Sequence, residues 1–390
     1  MRLAIVLAAC VVLLALALPG ETGPAAPAAP GSWNREGAAK YLDERMDLWF
    51  VKGKTLQTGR GGAVCISCHT AVPYALARPV LRQVTHVAIP TPQEARLLQG
   101  ITRRVETYGD NQLFYDVSDR KQIQSRGTEA VLNALVLASA DADHDRRTPG
   151  ETTRKALRRL WETQRPDGAW DWLDFGLEPF ESADAAYYGA TLAALAVGTA
   201  GVSTDPPADA AGMDKLRGYL KDRYAEQSLF NRVSLLLAST RWKDVLTGPE
   251  REALVAEILK AQRDDGGWSL QALGPWKWSK TPSLFRAARP PGTTDASLLA
   301  RSDGYATGLI VYTLRKSGLP RDHPTVRRGV QWLVANQQGV PVGQRTYPAW
   351  RSYSLNVDRE HGGERGEAWP RLFMSDAATA FAVLALAAAD

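Results

Sequence analysis

The sequence predicts an all-α protein, an α/α toroid of about five to six helix pairs, and three observations predict it. A turn recurs, as "LRRLWETQRPDGAWDW" (157–172), "ILKAQRDDGGWSL" (258–270) and, more faintly, "VQWLVANQQGVPVG" (330–343). The stretches downstream of these turns are also alike: "SADAAYYGATLAALAVG" (182–198), "SDGYATGLIVYTLRKSG" (302–318) and "SDAATAFAVLALAAA" (375–389) start on Ser and Asp and run into small apolar residues. Two further runs of the same kind, "RGTEAVLNALVLASA" (126–140) and "NRVSLLLAST" (231–240), precede amphipathic stretches in the same way. A helix that is apolar on all sides must be buried on all sides, whereas its Arg/Lys/Glu-bearing partner has a face for water. Apolar helices therefore form an inner ring and amphipathic ones an outer ring, each repeat covering its neighbours.

Along the chain, residues 1–20, "MRLAIVLAACVVLLALALPG", carry one Arg and then an apolar run long for a signal core and short for a spanning helix. That pattern fits an export signal or an N-terminal anchor, and places the protein in the periplasm or tethered to a membrane facing it. Residues 21–32 are Pro/Ala-rich without apolar periodicity and read as an extended linker. Folding is expected to begin near Trp33, with residues 33–125 a segment joined to the toroid and residues 126–390 the repeats proper. In the recurring turns, Gln164 and Gln262 are expected to cap the preceding outer helix, Gly to permit the reversal and Trp170 and Trp268 to pack over the junction. The inner-helix starts carry Asp184, Asp303 and Asp376, which suit N-capping and are also weak candidates for catalytic acids lining one mouth of a central cavity, with Glu181 and Asp295 nearby. Long insertions at 274–298 and 346–372 fall at that same mouth, where they could lid a pocket.

The formal charge of +5 is spread along the chain without a basic run or an aromatic-interleaved basic strip, which excludes nucleic acid as a partner.

Within the first expected pair, "GAAKYLDERMDLWFVKG" (37–53) is amphipathic and "AVPYALARPVLRQV" (71–84) is small and apolar, and between them lies "GGAVCISCHTAVPY" (61–74). The chain has three cysteines, and Cys10 lies inside the apolar leader, so Cys65 and Cys68 are the mature pair, with His69 directly after them. A structural zinc wants four N/S ligands, a thioredoxin-like C-x-x-C wants a βαβ context, and neither is at hand. A disulfide between the two remains the plain alternative. C-x-x-C-H in an exported chain points to one covalently attached haem c, held by thioethers from Cys65 and Cys68 along one face of a helical turn, with His69 as the proximal iron ligand. His69 and Thr70 would stand where Asp184, Asp303 and Asp376 stand in the other repeats. If the ring closes, its last repeat brings Met374 back as a tentative distal ligand, with His361 as the alternative, and His86 reaching the iron only if the chain folds back.

The Q-x-x-D-G-x-W turns resemble the QW repeats of the squalene-hopene cyclase, oxidosqualene cyclase and protein prenyltransferase superfamily, over roughly residues 126–390. The resemblance implies an α/α barrel with an apolar interior. It does not carry the activities over, because "SDGYATG" at 302–308 keeps only Asp303 of the cyclase acid motif and no Cys comes after Cys68 to hold a prenyltransferase zinc. Three functions are therefore expectations: haem-based electron transfer or redox chemistry with a redox partner protein; binding or isomerisation of an apolar isoprenoid in the cavity; and a repeat scaffold with a structural haem.

Overall fold

The computed structural model describes residues 32–56, 63–110, 113–144, 148–201, 207–276, 294–357, 359 and 369–389. Among these the chain is mostly helical. The apolar runs form α2 (Ala71–Val84), α4 (Asp119–Asp143), α6 (Ala185–Ala200), α8 (Leu229–Ser239), α11 (Gly304–Lys316) and α13 (Phe373–Ala389). The amphipathic stretches form α1 (Arg35–Leu56), α3 (Pro92–Glu106), α5 (Glu151–Glu162), α7 (Pro207–Asp222), α9 (Gly248–Lys260) and α12 (Pro324–Ala335), and a single turn, α10 (Ala296–Leu299), precedes α11.

The apolar helices pack on one another in chain order: α2 on α4, α4 on α6, α6 on α8, α8 on α11, α11 on α13, and α13 back on α2. Small residues let the axes approach. At Gly308 in α11, a Cβ would come within 2.6 Å of the Ala382 backbone nitrogen in α13, so any larger residue pushes the two helices apart. The buried hydrophobic residues form one continuous core from Trp33 to Leu386. Leu135, Leu236 and Ile310 are fully buried at its centre, each worth about 1.5–3 kcal/mol relative to exposure.

The recurring turns work differently from the expectation. It is the tryptophan that caps the amphipathic helix: Trp170 Nε1 donates to Leu160 O (2.8 Å), Trp268 Nε1 to Ile258 O (3.1 Å) and Trp350 Nε1 to Leu333 O (2.7 Å). The glutamine instead ties its own turn to the next amphipathic helix. Gln164 Nε2 donates to Gly168 O and to Gly212 O in α7, and Gln262 Nε2 donates to Gly266 O and to Thr325 O in α12. Gly168 and Gly266 have φ of +94° and +91°, which a side chain would strain. In the third turn Gln337 Nε2 donates to Asn34 O and its Oε1 accepts from Asn34 N, so the partner is the residue just before α1. A buried indole N–H needs an acceptor, and the C-terminal helical carbonyls are the unsatisfied acceptors nearest to it.

Two capping expectations are corrected. Asp303 does cap α11, its Oδ1 accepting from Tyr305 N and Ala306 N while Oδ2 accepts from Leu270 N in the preceding turn. Asp184 precedes α6 but makes no side-chain cap bond, and Asp376 lies inside α13, where a buried guanidinium claims its carboxylate. The third turn also opens into a two-stranded antiparallel hairpin, β1 (Gln338–Val342) and β2 (Arg345–Ala349), a small departure from an all-helical chain. Its strands alternate exposed and buried residues and pack on α1.

Candidate cofactor site

Residues 63–67 run without regular structure into a turn at 68–70, and α2 starts at Ala71. Ser67 sets that start: its Oγ accepts from Thr70 N (3.3 Å) and Ala71 N (3.1 Å), and its carbonyl from Val72 N (3.0 Å). Cys65 therefore lies on the straight approach, held by Trp49 Nε1 donating to its carbonyl (2.7 Å), and only Cys68 lies on the turn, rather than both on one helical face. His69 and Thr70 stand at the N-terminal end of α2, as Asp303 stands at that of α11.

His69 is fixed on three sides. Phe373 stacks on its ring (centroids 3.9 Å apart, planes 18° apart) and Trp49 meets it edge-on at 5.3 Å. Its Nδ1 lies 2.8 Å from Thr70 Oγ1, which donates to Asp376 Oδ2 at 2.7 Å. The carboxylate has no hydrogen to give, so the Thr70 proton points at Asp376 and the Thr70 oxygen accepts from His69 Nδ1–H. The network thus assigns the tautomer, with the lone pair on Nε2. Burial first, then the positive charges of Arg359 and Arg45, hold the imidazole well below its ordinary pKa, so it is neutral at pH 7. No described residue hydrogen-bonds to Nε2.

Asp376 is the hub. Besides Thr70 it accepts from Tyr41 Oη (2.9 Å) and from Arg45 Nε (2.7 Å) and Nη2 (3.0 Å), with both members of the ion pair 2 % exposed. Arg45 Nη2 also reaches Trp369 O, while Arg45 Nη1 is buried without a hydrogen-bond partner among the described residues. Tyr41, Arg45 and Trp49 recur every fourth residue on α1, so one helix face supplies a donor to the hub, its counter-charge and the ring beside His69.

Cys65 is half-buried and Cys68 buried at 2 %, and the two thiols are not bridged to each other. Burial, followed by the nearby Glu181 and Cys65, pushes the Cys68 thiol up, so it is no thiolate at neutral pH. Among the described residues no group of three His, Cys, Asp or Glu is gathered as a metal site. The set fits a macrocycle that brings its own nitrogen ligands: two thiols for covalent attachment and one oriented imidazole for the axial position.

Beyond Cys68 the interior is aromatic. Phe180, Tyr188, Phe230, Tyr305 and Phe381 form a connected set of ring contacts between 5.4 and 6.3 Å. Glu181 lies deep beside them yet keeps accessible surface, and burial lifts its pKa to about 7 against the pull of Arg359 and Lys121. Arg359 donates to Pro370 O and lies 5.2 Å from the Phe373 ring.

The other sequence candidates divide. Met374 is buried on α13 beside Phe373, and shares a helix face with Phe381, which meets Tyr305. Asp303 is committed to three backbone N–H groups, and Asp184 is half-buried at the start of α6. His86 is set aside as a ligand: it is exposed past the far end of α2, about 21 Å of helix from His69. His361, the leader at 1–20, residues 277–293 of the first long insertion and residues 358 and 360–368 of the second lie outside the described residues. Sequence reasoning placed Thr70 at the helix start but not its bond to Asp376, and missed Arg45, Tyr41, Trp49 and Phe373; the four-residue spacing on α1 was the available signal for three of them. No known protein-family profile matches the chain, and no curated protein matches it at a significant level.

Proposed function

We propose that this chain is an exported c-type haem protein, with the haem attached through Cys65 and Cys68 and ligated by His69, and that it performs redox chemistry inside an α/α toroid. The observation that carries the reading is the His69–Thr70–Asp376 relay. It leaves a neutral imidazole with its lone pair on Nε2 and its other nitrogen bonded through a hydroxyl to a buried carboxylate, as metal-ligating histidines are held. Arg45, whose buried Nη1 has no hydrogen-bond partner among the described residues, and Arg359 are cations beside the site that would face the haem carboxylates. When bound, the group supplies a one-electron couple. The chain's own residues orient the imidazole and keep water from it with Trp49 and Phe373, and Met374, buried on α13, would be the residue to hold the iron from the other side.

Closure of the toroid is supported by the α13–α2 packing and by Gln337, which bonds the residue before α1 as Gln164 and Gln262 bond the next outer helices. Export, a membrane tether and a redox partner protein belong to this same proposal. The cyclase-like alternative draws on the aromatic interior, but the Asp303 carboxylate is occupied by three backbone donors, which leaves it ill-placed to protonate a substrate. The test is expression in a host competent for cytochrome c maturation. A haem stain that survives denaturation, lost in Cys65→Ala and Cys68→Ala, is the expected result; colourless protein from that host contradicts it.

A further inference from the structure

Buried tyrosines in this fold spend their hydroxyls. Tyr41 donates to Asp376, Tyr74 to Asp43, Tyr187 to Leu220 O and Tyr347 to Glu44. Tyr188 and Tyr305 do not: they are 6 % and 1 % exposed, and neither hydroxyl takes a hydrogen bond among the described residues. Neither hydroxyl is among the fully buried polar atoms that lack a partner, so each keeps a little accessible surface inside the fold, where a bound group could reach it.

The two sit together. Both rings pack on Phe180, at 5.7 and 5.5 Å, and both on Phe230, at 5.4 and 6.1 Å. Each phenol is within electrostatic reach of Cys68, and Cys68 in turn of Glu181. Glu181 repeats the pattern, because its carboxyl takes no hydrogen bond or close ion pair among the described residues and yet keeps accessible surface deep in the protein. Its backbone is pinned on both sides: Glu181 N donates to Leu177 O and Glu181 O accepts from Phe175 N and Leu177 N. Next to it, Phe180 O accepts from Trp172 Nε1 and Ser182 Oγ donates to Glu178. Three polar groups are thus held rigidly, without internal partners, against an aromatic wall, the arrangement that defines a small-molecule site.

We infer that Tyr188, Tyr305 and Glu181 form a binding site for a flat, uncharged ring molecule carrying hydroxyl or carbonyl oxygens. The aromatic faces of Phe180, Phe230 and Phe381 select a flat ring. The two phenols donate to its carbonyl or hydroxyl oxygens or accept from its hydroxyls, and Glu181 accepts a hydrogen bond from a hydroxyl when ionised or donates one to an oxygen when protonated. The site is defined without reference to haem and stands or falls separately from it.

The test compares 1-naphthol with naphthalene by equilibrium dialysis against the mature full chain and against the Cys65→Ala/Cys68→Ala double variant. Naphthol is expected to bind about tenfold more tightly than naphthalene, the ratio one added hydrogen bond gives. Tyr188→Phe, Tyr305→Phe and Glu181→Gln should each shrink that ratio while leaving naphthalene binding unchanged, which also shows that the variants are folded. Equal binding of the two probes, no binding of either, or a preference indifferent to all three substitutions overturns the inference. A preference that persists in a protein found to lack haem leaves the inference standing and removes the haem reading; a haem-bearing protein without the preference does the reverse.

Discussion

Thr70 Oγ1 donates to Asp376 Oδ2 across 2.7 Å, joining residues 306 positions apart in the chain at the point where α2 and α13 meet. This bond holds the last helix against the first apolar one and also settles which nitrogen of His69 carries the proton. Asp376→Asn removes the counter-charge of a guanidinium that is 2 % exposed, and breaking a buried pair from one side costs about 3–5 kcal/mol. Urea denaturation of that variant should show the loss as a lower midpoint. Thr70→Val keeps the shape and removes the relay alone. It should leave the fold intact and shift the midpoint potential of the matured protein, read by spectroelectrochemistry.

The indole caps make a sharper structural prediction. Trp268→Phe keeps most of the apolar ring and deletes only the bond to Ile258 O, leaving a buried carbonyl unsatisfied at about 1–3 kcal/mol. Gln262→Ala instead unties α9's turn from α12 and should raise amide exchange at both sites while leaving the Trp cap in place.

Glu181 sets a pH dependence of known sign. Its pKa rises from 4.5 to about 7 on folding, so between those values the native state holds a proton that the unfolded state has lost. Stability from this group is therefore greatest below pH 4.5 and declines as pH rises through 7. His69 works the other way: its folded pKa lies below 6.5, so acid below that value favours the unfolded chain. Subtracting the Glu181→Gln stability curve from that of the unsubstituted protein, measured by thermal melts across pH 4–8, should leave a difference that falls with pH.

Much of the fold was readable because it repeats. A turn of fixed composition leading into a small-residue helix marks its own boundaries, and α4, α6, α8, α11 and α13 appear where the apolar runs do. The hairpin after α12 escaped because a strand of five residues inside "QGVPVGQRTYPAW" carries little periodic signal. The Asp at the start of α13 was misjudged for a different reason. Capping is a local preference, and a buried Arg45 from the other end of the chain outweighs it. For the site, Cys65, Cys68 and His69 are close together in sequence and announce themselves, whereas Thr70, Asp376, Arg45 and Phe373 become one site only through the packing of α1, α2 and α13.

Met374 separates two forms of the site. With Met374 as the distal ligand, reduced protein should show a six-coordinate low-spin spectrum and oxidised protein a weak sulfur-to-iron band in the far red. Met374→Ala should convert both to high-spin features without loss of the covalent haem. Unchanged spectra in that variant would assign the distal position to another group.

The pyridine haemochrome of protein purified from a maturation-competent host tests the central claim most directly, because its α-band reports whether both haem vinyl groups have become thioethers. A band at the position of a haem with two thioether bonds, in a ratio of one haem to one chain, is the predicted result. A chain without haem, or one whose Cys65 and Cys68 are found oxidised to each other, would contradict it.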